Sequence, residues 1–381
     1  MDGVVMLVNE FPPLPVGGAE TQAERLSAYL AGQGWPVWVI TRHAVGLPFN
    51  ETRTGFQIVR PPTLGSGKIR TITFMLFALI KLYQMRRHYK ILHAHLAFGP
   101  ALVAVLLGHF LGKRVVVKLG GSNAIGDINV SLSTWRGRLR LAAIRKWADV
   151  VVTLTDVMRD EALSVGIPKD RVRLFNNGID AGAYVFDPSS KEEAKGLLDL
   201  ADKTILLFVG RLDPIKSLPT VLDALAIALK SCPSLHFLIV GDGPEKTALE
   251  GQSQTLGIEK HITFTGSQKN IRPYLQAADV FVLPSITEGI SNALLEAMAA
   301  GVACMATPVG GSDEVLAHGK YGKMTPVQDV QAWAEALIEL GNDAPQRKRL
   351  GDLARQRILN DYDFNVVGAQ YEALYTELSG K

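Results

Sequence analysis

Cysteine is nearly absent from this chain, with only Cys232 and Cys304 among 381 residues, both in or near apolar runs. A disulfide framework is thereby disfavoured, and a reducing cytoplasm fits. Long apolar runs are missing too. The most membrane-like stretch, residues 72–82, is interrupted by Lys81 and is far too short to span a bilayer. Residues 4–8 are too short for the apolar segment of a signal peptide and run straight into a loop, which again favours a cytoplasmic protein. No G-x-G-x-x-G occurs, so a nicotinamide cofactor is not indicated. His93 and His95 share one side of a strand but lack further ligands at metal spacing, and no Asp-x-Asp pair sits suitably to hold an ion. No metal and no other cofactor is expected. Short repeats and low-complexity tracts are lacking as well.

What is present describes a folded protein. Hydrophobic residues make up 47% and charged residues 20%, which excludes a disordered chain. The length suits two domains better than one core. Charge is unevenly divided. Residues 1–190 hold 22 Lys+Arg against 13 Asp+Glu, and the remainder 18 against 24, so +9 faces −6. A basic amino-terminal half implies an anionic partner. No nucleic-acid-binding module is legible, so nucleic acid is not expected and an anionic membrane surface is the better candidate.

Strand and helix patterns alternate through the chain. Strands are expected at 4–9, 37–41, 56–60, 91–95, 114–119, 150–154 and 172–175, with helices at 19–31, 71–87 and 135–147. A second series follows at 205–209, 236–240, 262–265, 280–283 and 302–305. This order predicts an α/β protein with parallel, doubly wound sheets. The helix at 71–87 is apolar with basic ends, and reads either as a core helix or as one lying on anionic lipid. The basic helix at 135–147 reads as a solvated face or as a lipid- or acceptor-facing patch.

The most informative stretch joins the last two strands. Val280-Phe281-Val282-Leu283 is a buried strand, Glu288 falls on the loop after it, and a helix begins at Asn292 behind Ser291, a good N-cap. Glu296 lies inside that helix. The free backbone N–H groups of Gly289, Ile290, Ser291 and Asn292 suit an anion. Two carboxylates beside such a helix start suit a ligand that carries hydroxyls as well as phosphate, because a carboxylate accepts hydrogen bonds from diols. Two solvated glutamates on an ordinary helix would show the same spacing. Elsewhere, Arg211 and Lys216 stand five residues apart on a loop at a strand's carboxyl end, a fork and a point charge able to neutralise a diphosphate. Gly17 and Gly18 precede a helix and permit close approach of backbone to phosphate.

Residues 288–301, EGISNALLEAMAAG, resemble the E-x7-E motif of retaining glycosyltransferases of family 4, also called glycosyl transferases group 1. The resemblance extends over nearly the whole chain. Gly210-Arg211-Leu212 with Lys216 resembles the family's diphosphate loop, and Gly17-Gly18 with Glu20 its G-G-x-E loop. Gly241 and Gly243, and Ser267 after Gly266, match loops that bracket the nucleotide base. Asn176-Asn177-Gly178-Ile179-Asp180 matches the turn into a linker at about 181–203. Residues 307–314 match the closing T-x-x-G-G-x-x-E loop.

The resemblance implies the GT-B architecture, two Rossmann-like domains with parallel sheets facing across a cleft. Its domains would be 1–183 with a crossing helix at 362–381, and 184–361. It also implies a metal-independent, retaining transferase using a nucleotide-diphosphate sugar, most readily a UDP-sugar. The acceptor would be a glycan or a lipid-linked molecule in cell-surface polysaccharide assembly, reached from the cytoplasm or the inner face of the membrane. Arg211 and Lys216 would hold the diphosphate, Glu288 the sugar and Glu296 the ribose. His95, Gly120, Gly121 and Ser122 would lie on the acceptor side. One departure stands out. Gly120 occupies the place of a histidine common in the family, with residues 123–127 as candidate sources of polar groups instead. Gly120 keeps a nucleotide-sugar-binding protein of low activity in view, and a GT-B epimerase or glycoside phosphorylase shares the same architecture.

Overall fold

The computed structural model describes residues 3–14, 17–121, 126–185 and 189–380. Two compact units result, one made of Met1–Gly178 with Phe364–Lys381 and the other of Ile179–Asp363. The chain changes unit after Gly178 instead of after residue 183. The reason lies in the short turn Ala181–Tyr184, which packs on the helix Asn292–Ala299 of the second unit.

In the first unit eight strands form one sheet. They are β1 (Gly3–Leu7), β2 (Val37–Ile40), β3 (Asn50–Arg53), β4 (Phe56–Val59), β5 (Tyr89–His95), β6 (Arg114–Lys118), β7 (Val150–Thr153) and β8 (Val172–Leu174). Their order is β3-β4-β2-β1-β5-β6-β7-β8, parallel throughout except for the β3–β4 pair. Every residue of β1 is buried, as expected of a strand covered on both faces. The final helix, Phe364–Ser379, packs Val367, Tyr371 and Leu374 into the same core.

The antiparallel β3–β4 hairpin escapes the sequence pattern. Asn-Glu-Thr-Arg is polar along its whole length, and its turn places Thr54 and Gly55 at φ of +46° and +84°. Its stability comes from charge instead. Glu51 accepts from Arg53 at 2.6 Å and from the buried Arg60 at 2.8 Å.

The second unit holds β9 (Thr204–Val209), β10 (Leu235–Val240), β11 (Ile262–Gly266), β12 (Val280–Leu283), β13 (Ala303–Ala306) and β14 (Lys323–Met324), all parallel, in the order β11-β10-β9-β12-β13-β14. The stretch at 181–203 is no linker. It contains the helix Ser190–Gly196, and Lys191 and Lys195 reach Asp279 at 2.8 and 2.9 Å. Asp279 stands at the foot of β12, and one of its carboxylate oxygens also accepts the backbone N–H of Ile205 at 2.8 Å. Burial pushes the Asp279 carboxyl up, but the adjacent Lys191 charge and the hydrogen bonds from Lys191, Lys195 and Ile205 outweigh it and leave it below its ordinary value.

A depressed carboxyl contributes stability above its unfolded pKa and loses it as the pH falls through the folded value. Asp279→Ala should therefore cost about 3 kcal/mol at neutral pH, because two lysines lose their counter-charge. The deficit should shrink as the pH falls below about 4, where the unfolded carboxyl takes up its proton, and be lost once the pH passes the depressed folded value. Urea unfolding of parent and variant at both pH values checks this.

Candidate active site

The sheet of the second unit changes direction between β9 and β12, and open α/β sheets bind ligands at the carboxyl ends of such neighbours. Two loops meet there. The backbone N–H of Ile286, after β12, donates to the carbonyl of Ile215, after β9, at 2.8 Å. Lys216 then pairs with the Oε2 of Glu288, and the Ser285 hydroxyl donates to the same oxygen at 3.0 Å. Ser285 is itself held, its carbonyl accepting from the Thr307 hydroxyl. Lys216 and Glu288 are 16% and 14% exposed, so the pair is screened from water yet open on one side. Arg211 differs. It is largely exposed, and its Nε lies 3.1 Å from Asp213.

Close backbone contacts hold these loops. Gly241 has a φ of +153°, and a Cβ there would stand 1.8 Å from the carbonyl oxygen of Gly210. Gly310, at φ +50°, would bring a Cβ to 1.9 Å from the carbonyl oxygen of Glu288. No side chain fits at either position, so the Arg211 and Glu288 loops are each seated directly against another backbone. Gly243 backs onto Leu212, and the N–H of Gly311 donates to the carbonyl of Gly289 at 3.1 Å.

The helix Asn292–Ala299 starts where the loop ends. The Ser291 hydroxyl caps it by accepting from the Leu294 N–H at 3.3 Å, Ile290 is buried beside it, and Glu296 is half-buried one turn further on. Arg211, Lys216, Glu288 and the run from Gly289 to Asn292 are thus brought to one end of the sheet. Ser267 follows β11 at the same carboxyl end, exposed on the edge strand, and the carbonyl of its neighbour Gly266 accepts from the Gly241 N–H at 2.9 Å. Two hydroxyls that sequence reasoning passed over, Thr287 Oγ1 and Ser312 Oγ, are buried on these loops without a partner. Ser312 falls inside the closing loop motif and Thr287 directly precedes Glu288, so their positions were legible and their orientations were not. Among the described residues no group of three His, Cys, Asp or Glu is placed to hold a metal ion.

The first unit places its candidates differently. Gly17 is the N-cap of the helix Gly18–Gly32, and both glycines are exposed. Glu20 lies in the first turn of that helix. Burial raises its carboxyl against the lowering effect of backbone hydrogen bonds, and the nearby Glu10 raises it further.

His95 is not at the surface. It is buried beneath the helix Phe364–Ser379, stacked on His93 with ring centroids 4.4 Å apart, and neither ring nitrogen has a partner. His93 Nδ1 lies 2.6 Å from the Tyr375 hydroxyl. Burial, the His93 ring and Lys118 together hold His95 well below its ordinary value. Lys118 pairs with His95 in register on β6, donates to Asn177 at 2.9 Å, and is lowered to about 7 by burial. The two histidines are buried in the interior beside Lys118, away from any exposed acid–base site.

Gly120 has a structural cause. A Cβ there would lie 2.1 Å from the Leu96 side chain, and Leu96 itself takes a φ of +71°. The leucine fills the space through which a side chain at 120 would leave. Gly121 follows at the end of the described segment, whereas Ser122 and residues 123–125 lie outside the described residues. Asp127 does not offer its carboxylate outward. It is buried, and Oδ2 accepts the backbone N–H groups of Ala97 at 2.9 Å and Gly120 at 3.0 Å. One carboxylate thereby holds the loops that follow β5 and β6.

Two doubly wound units built on largely parallel sheets are the architecture of GT-B glycosyltransferases. The chain belongs to glycosyltransferase family 4: the description Glycosyltransferase Family 4 matches residues 16–182, and Glycosyl transferases group 1 matches residues 189–357. It is 27% identical over 372 residues to N-acetyl-alpha-D-glucosaminyl L-malate synthase of Bacillus anthracis, covering 95% of this chain and 94% of that protein. It is 25% identical over 399 residues to a GDP-mannose-dependent alpha-(1-6)-phosphatidylinositol monomannoside mannosyltransferase of Mycolicibacterium smegmatis, covering 99% and 98%. Among solved structures, Anabaena HepE in complex with UDP superimposes with a TM-score of 0.82 at 18% identity, covering 98% of this chain and all of that one.

The Asp127 bridge yields a pH test. Burial raises its carboxyl to about 6, against the lowering effect of the two backbone N–H donors and of Arg140. A raised carboxyl stabilises the fold below its unfolded pKa and loses that contribution as the pH climbs through the folded value. Asp127→Asn keeps an acceptor oxygen without the charge. Its melting temperature should gain on the parent between about pH 4 and 6 and hold a constant margin above that range. Asp127→Ala, with both N–H groups orphaned, should be less stable by about 2 kcal/mol or more.

Proposed function

We propose that the protein is a retaining, metal-independent glycosyltransferase that moves a sugar from a UDP-sugar to a glycan or lipid-linked acceptor in cell-surface polysaccharide synthesis. The observation that carries this reading is the meeting of Lys216, Glu288 and the start of the helix Asn292–Ala299 at one switch point, with Arg211 exposed beside them. A phosphate group suits Arg211, Lys216 and the backbone N–H groups of the run from Gly289 to Asn292 at the helix start. A sugar suits Glu288, whose Oε2 is engaged by two donors. A ribose diol suits Glu296. The UDP assignment draws support from HepE, which has been crystallised with UDP and with UDP-glucose. Lipid-linked acceptors draw support from the phosphatidylinositol monomannoside mannosyltransferase.

In this reading the bond between the anomeric carbon and the phosphate oxygen breaks with oxocarbenium character, and positive charge from Arg211 and Lys216 meets the departing diphosphate. The acceptor oxygen bonds to the same face of the anomeric carbon, and its proton passes to the leaving phosphate. No side chain is needed as general base. Gly17 and Gly18 would approach the diphosphate, Gly241, Gly243 and Ser267 the base, and Gly120, Gly121 and Ser122 the acceptor. His95 would act through packing, from the interior.

Arg211→Ala is the cleaner test of the leaving-group role, since its exposed side chain leaves no buried charge behind. It should lower turnover by roughly a hundredfold or more, equivalent to about 2–4 kcal/mol of barrier, without moving the melting temperature. Lys216→Ala should lose as much activity and some stability, because Glu288 loses its partner. Survival of activity in both variants removes the diphosphate assignment.

The two glutamates separate by ligand. Glu296→Ala should weaken UDP and UDP-sugar alike, whereas Glu288→Ala should spare UDP and weaken only the sugar-bearing donor. Each loss should be about 1.5–3 kcal/mol by calorimetry. Parallel titrations with GDP- and ADP-linked sugars test the base, and equal indifference of both variants removes the motif from the site.

A further inference from the structure

Between Glu51 and Asp127 the chain carries no acidic residue and eleven Lys or Arg. The helix Gly67–Gln84 lies inside that stretch and buries Phe74, Ala78 and Leu82 against the first unit. Its opposite side is not polar. Ile69, Ile72, Leu76, Ile80 and Tyr83 are between 45% and 62% exposed. Their spacing of three and four residues sets them in one stripe along the helix. Lys68 and Arg87 are exposed at the two ends, Lys81 lies near the last turn, and Arg86 stacks on the Tyr83 ring at 4.3 Å. An apolar stripe with cationic ends and no anion matches a bilayer whose acyl layer lies beneath acidic headgroups. A second copy of this basic face would bring like charges together, whereas an acidic lipid surface supplies counter-charge along the whole helix.

We propose that the helix Gly67–Gln84 docks on an anionic lipid surface, with the stripe among acyl chains and Lys68, Lys81, Arg86 and Arg87 at the headgroup phosphates. The placement connects docking to catalysis and rests on the transferase reading for that connection. Arg42, beyond β2, donates to Thr71 at 3.4 Å, and Arg70 donates to the carbonyl of His43 at 2.9 Å. The amino end of the helix therefore stands at the carboxyl edge of the sheet, the edge that carries the loops held by Asp127. A lipid-linked acceptor would present its head group at that edge. No helix among the described residues is long and apolar enough to cross a membrane, so attachment would be from one side.

Sedimentation of the purified chain with vesicles tests the surface without any sugar chemistry. The parent should bind vesicles of equal parts phosphatidylcholine and phosphatidylglycerol, and release them as salt rises. Ile72→Gln/Leu76→Gln/Ile80→Gln, all exposed positions given a good helix former, should weaken binding by about tenfold or more. Lys68→Glu/Arg87→Glu should abolish the preference for the anionic vesicles over pure phosphatidylcholine. Circular dichroism and UDP-sugar stabilisation, measured without lipid, should match the parent in both variants. Docking is overturned if the parent binds neither vesicle, or if the triple variant binds as the parent does. It is also overturned if the parent is a dimer that the triple variant splits while neither sediments, since a second copy would then cover the stripe. Failure of the UDP-sugar assays with vesicle binding intact would remove the transferase reading and leave the surface standing.

Discussion

The loops that follow β9 and β12 are far apart in the chain, and one hydrogen bond and one ion pair clasp them together. The Ile286 N–H donates to the Ile215 carbonyl, and Lys216 meets Glu288 two residues further along. Neither contact would exist without the strand order. Only because β12 lies next to β9, with β10 displaced to the other side, do the two loops share one edge. The glycines at 241 and 310 are consequences of the same crowding, since backbone packs on backbone behind both loops. The site is therefore assembled by folding, and its two charged partners offset each other before any ligand arrives.

The first unit solves a similar problem with a single buried carboxylate. Asp127 gathers the turns after β5 and β6 by accepting two main-chain N–H groups. Burying a carboxylate is costly, and the raised pKa is the sign of that cost. Beneath the same strands, His93, His95 and Lys118 are buried against Tyr371 and Tyr375 of the last helix, and burial holds all three below their ordinary values. The polar interior thus ties the last helix to β5 and β6, while apolar residues of β1 and of the helix Gly18–Gly32 belong to the core of the same unit.

Much of this was legible in the sequence, for physical reasons. A short continuous apolar run such as Val280-Phe281-Val282-Leu283 suits a strand covered on both faces, which has no polar side to show. Ser291 before Asn292 marks a helix start because its hydroxyl can accept from the backbone. The E-x7-E spacing and the Arg211–Lys216 pair located the candidate site, yet nothing in the spacing foretold that Lys216 would touch Glu288. That contact depends on strand order. The hairpin at Asn50–Arg53 was illegible because its support is the charge on Glu51, Arg53 and Arg60 and not a periodic apolar face. Gly120 was read as a departure from the family pattern, and the leucine at 96 turned into its space needed three dimensions. Residues 181–203 looked like a linker because small and charged residues dominate them. The lysines at 191 and 195 are in fact ligands of Asp279.

Lys216 is a charge that changes partners. With no donor bound it belongs to Glu288, and on the proposed reading an arriving diphosphate must draw it partly away. The heat of donor binding then records an exchange of one anion for another, smaller than a fresh contact between lysine and phosphate would release. The exchange also runs backwards. On the same proposed reading, once the sugar has left, Glu288 would compete for the lysine against the spent nucleotide, and the carboxylate proposed to hold the donor would help to release its remnant.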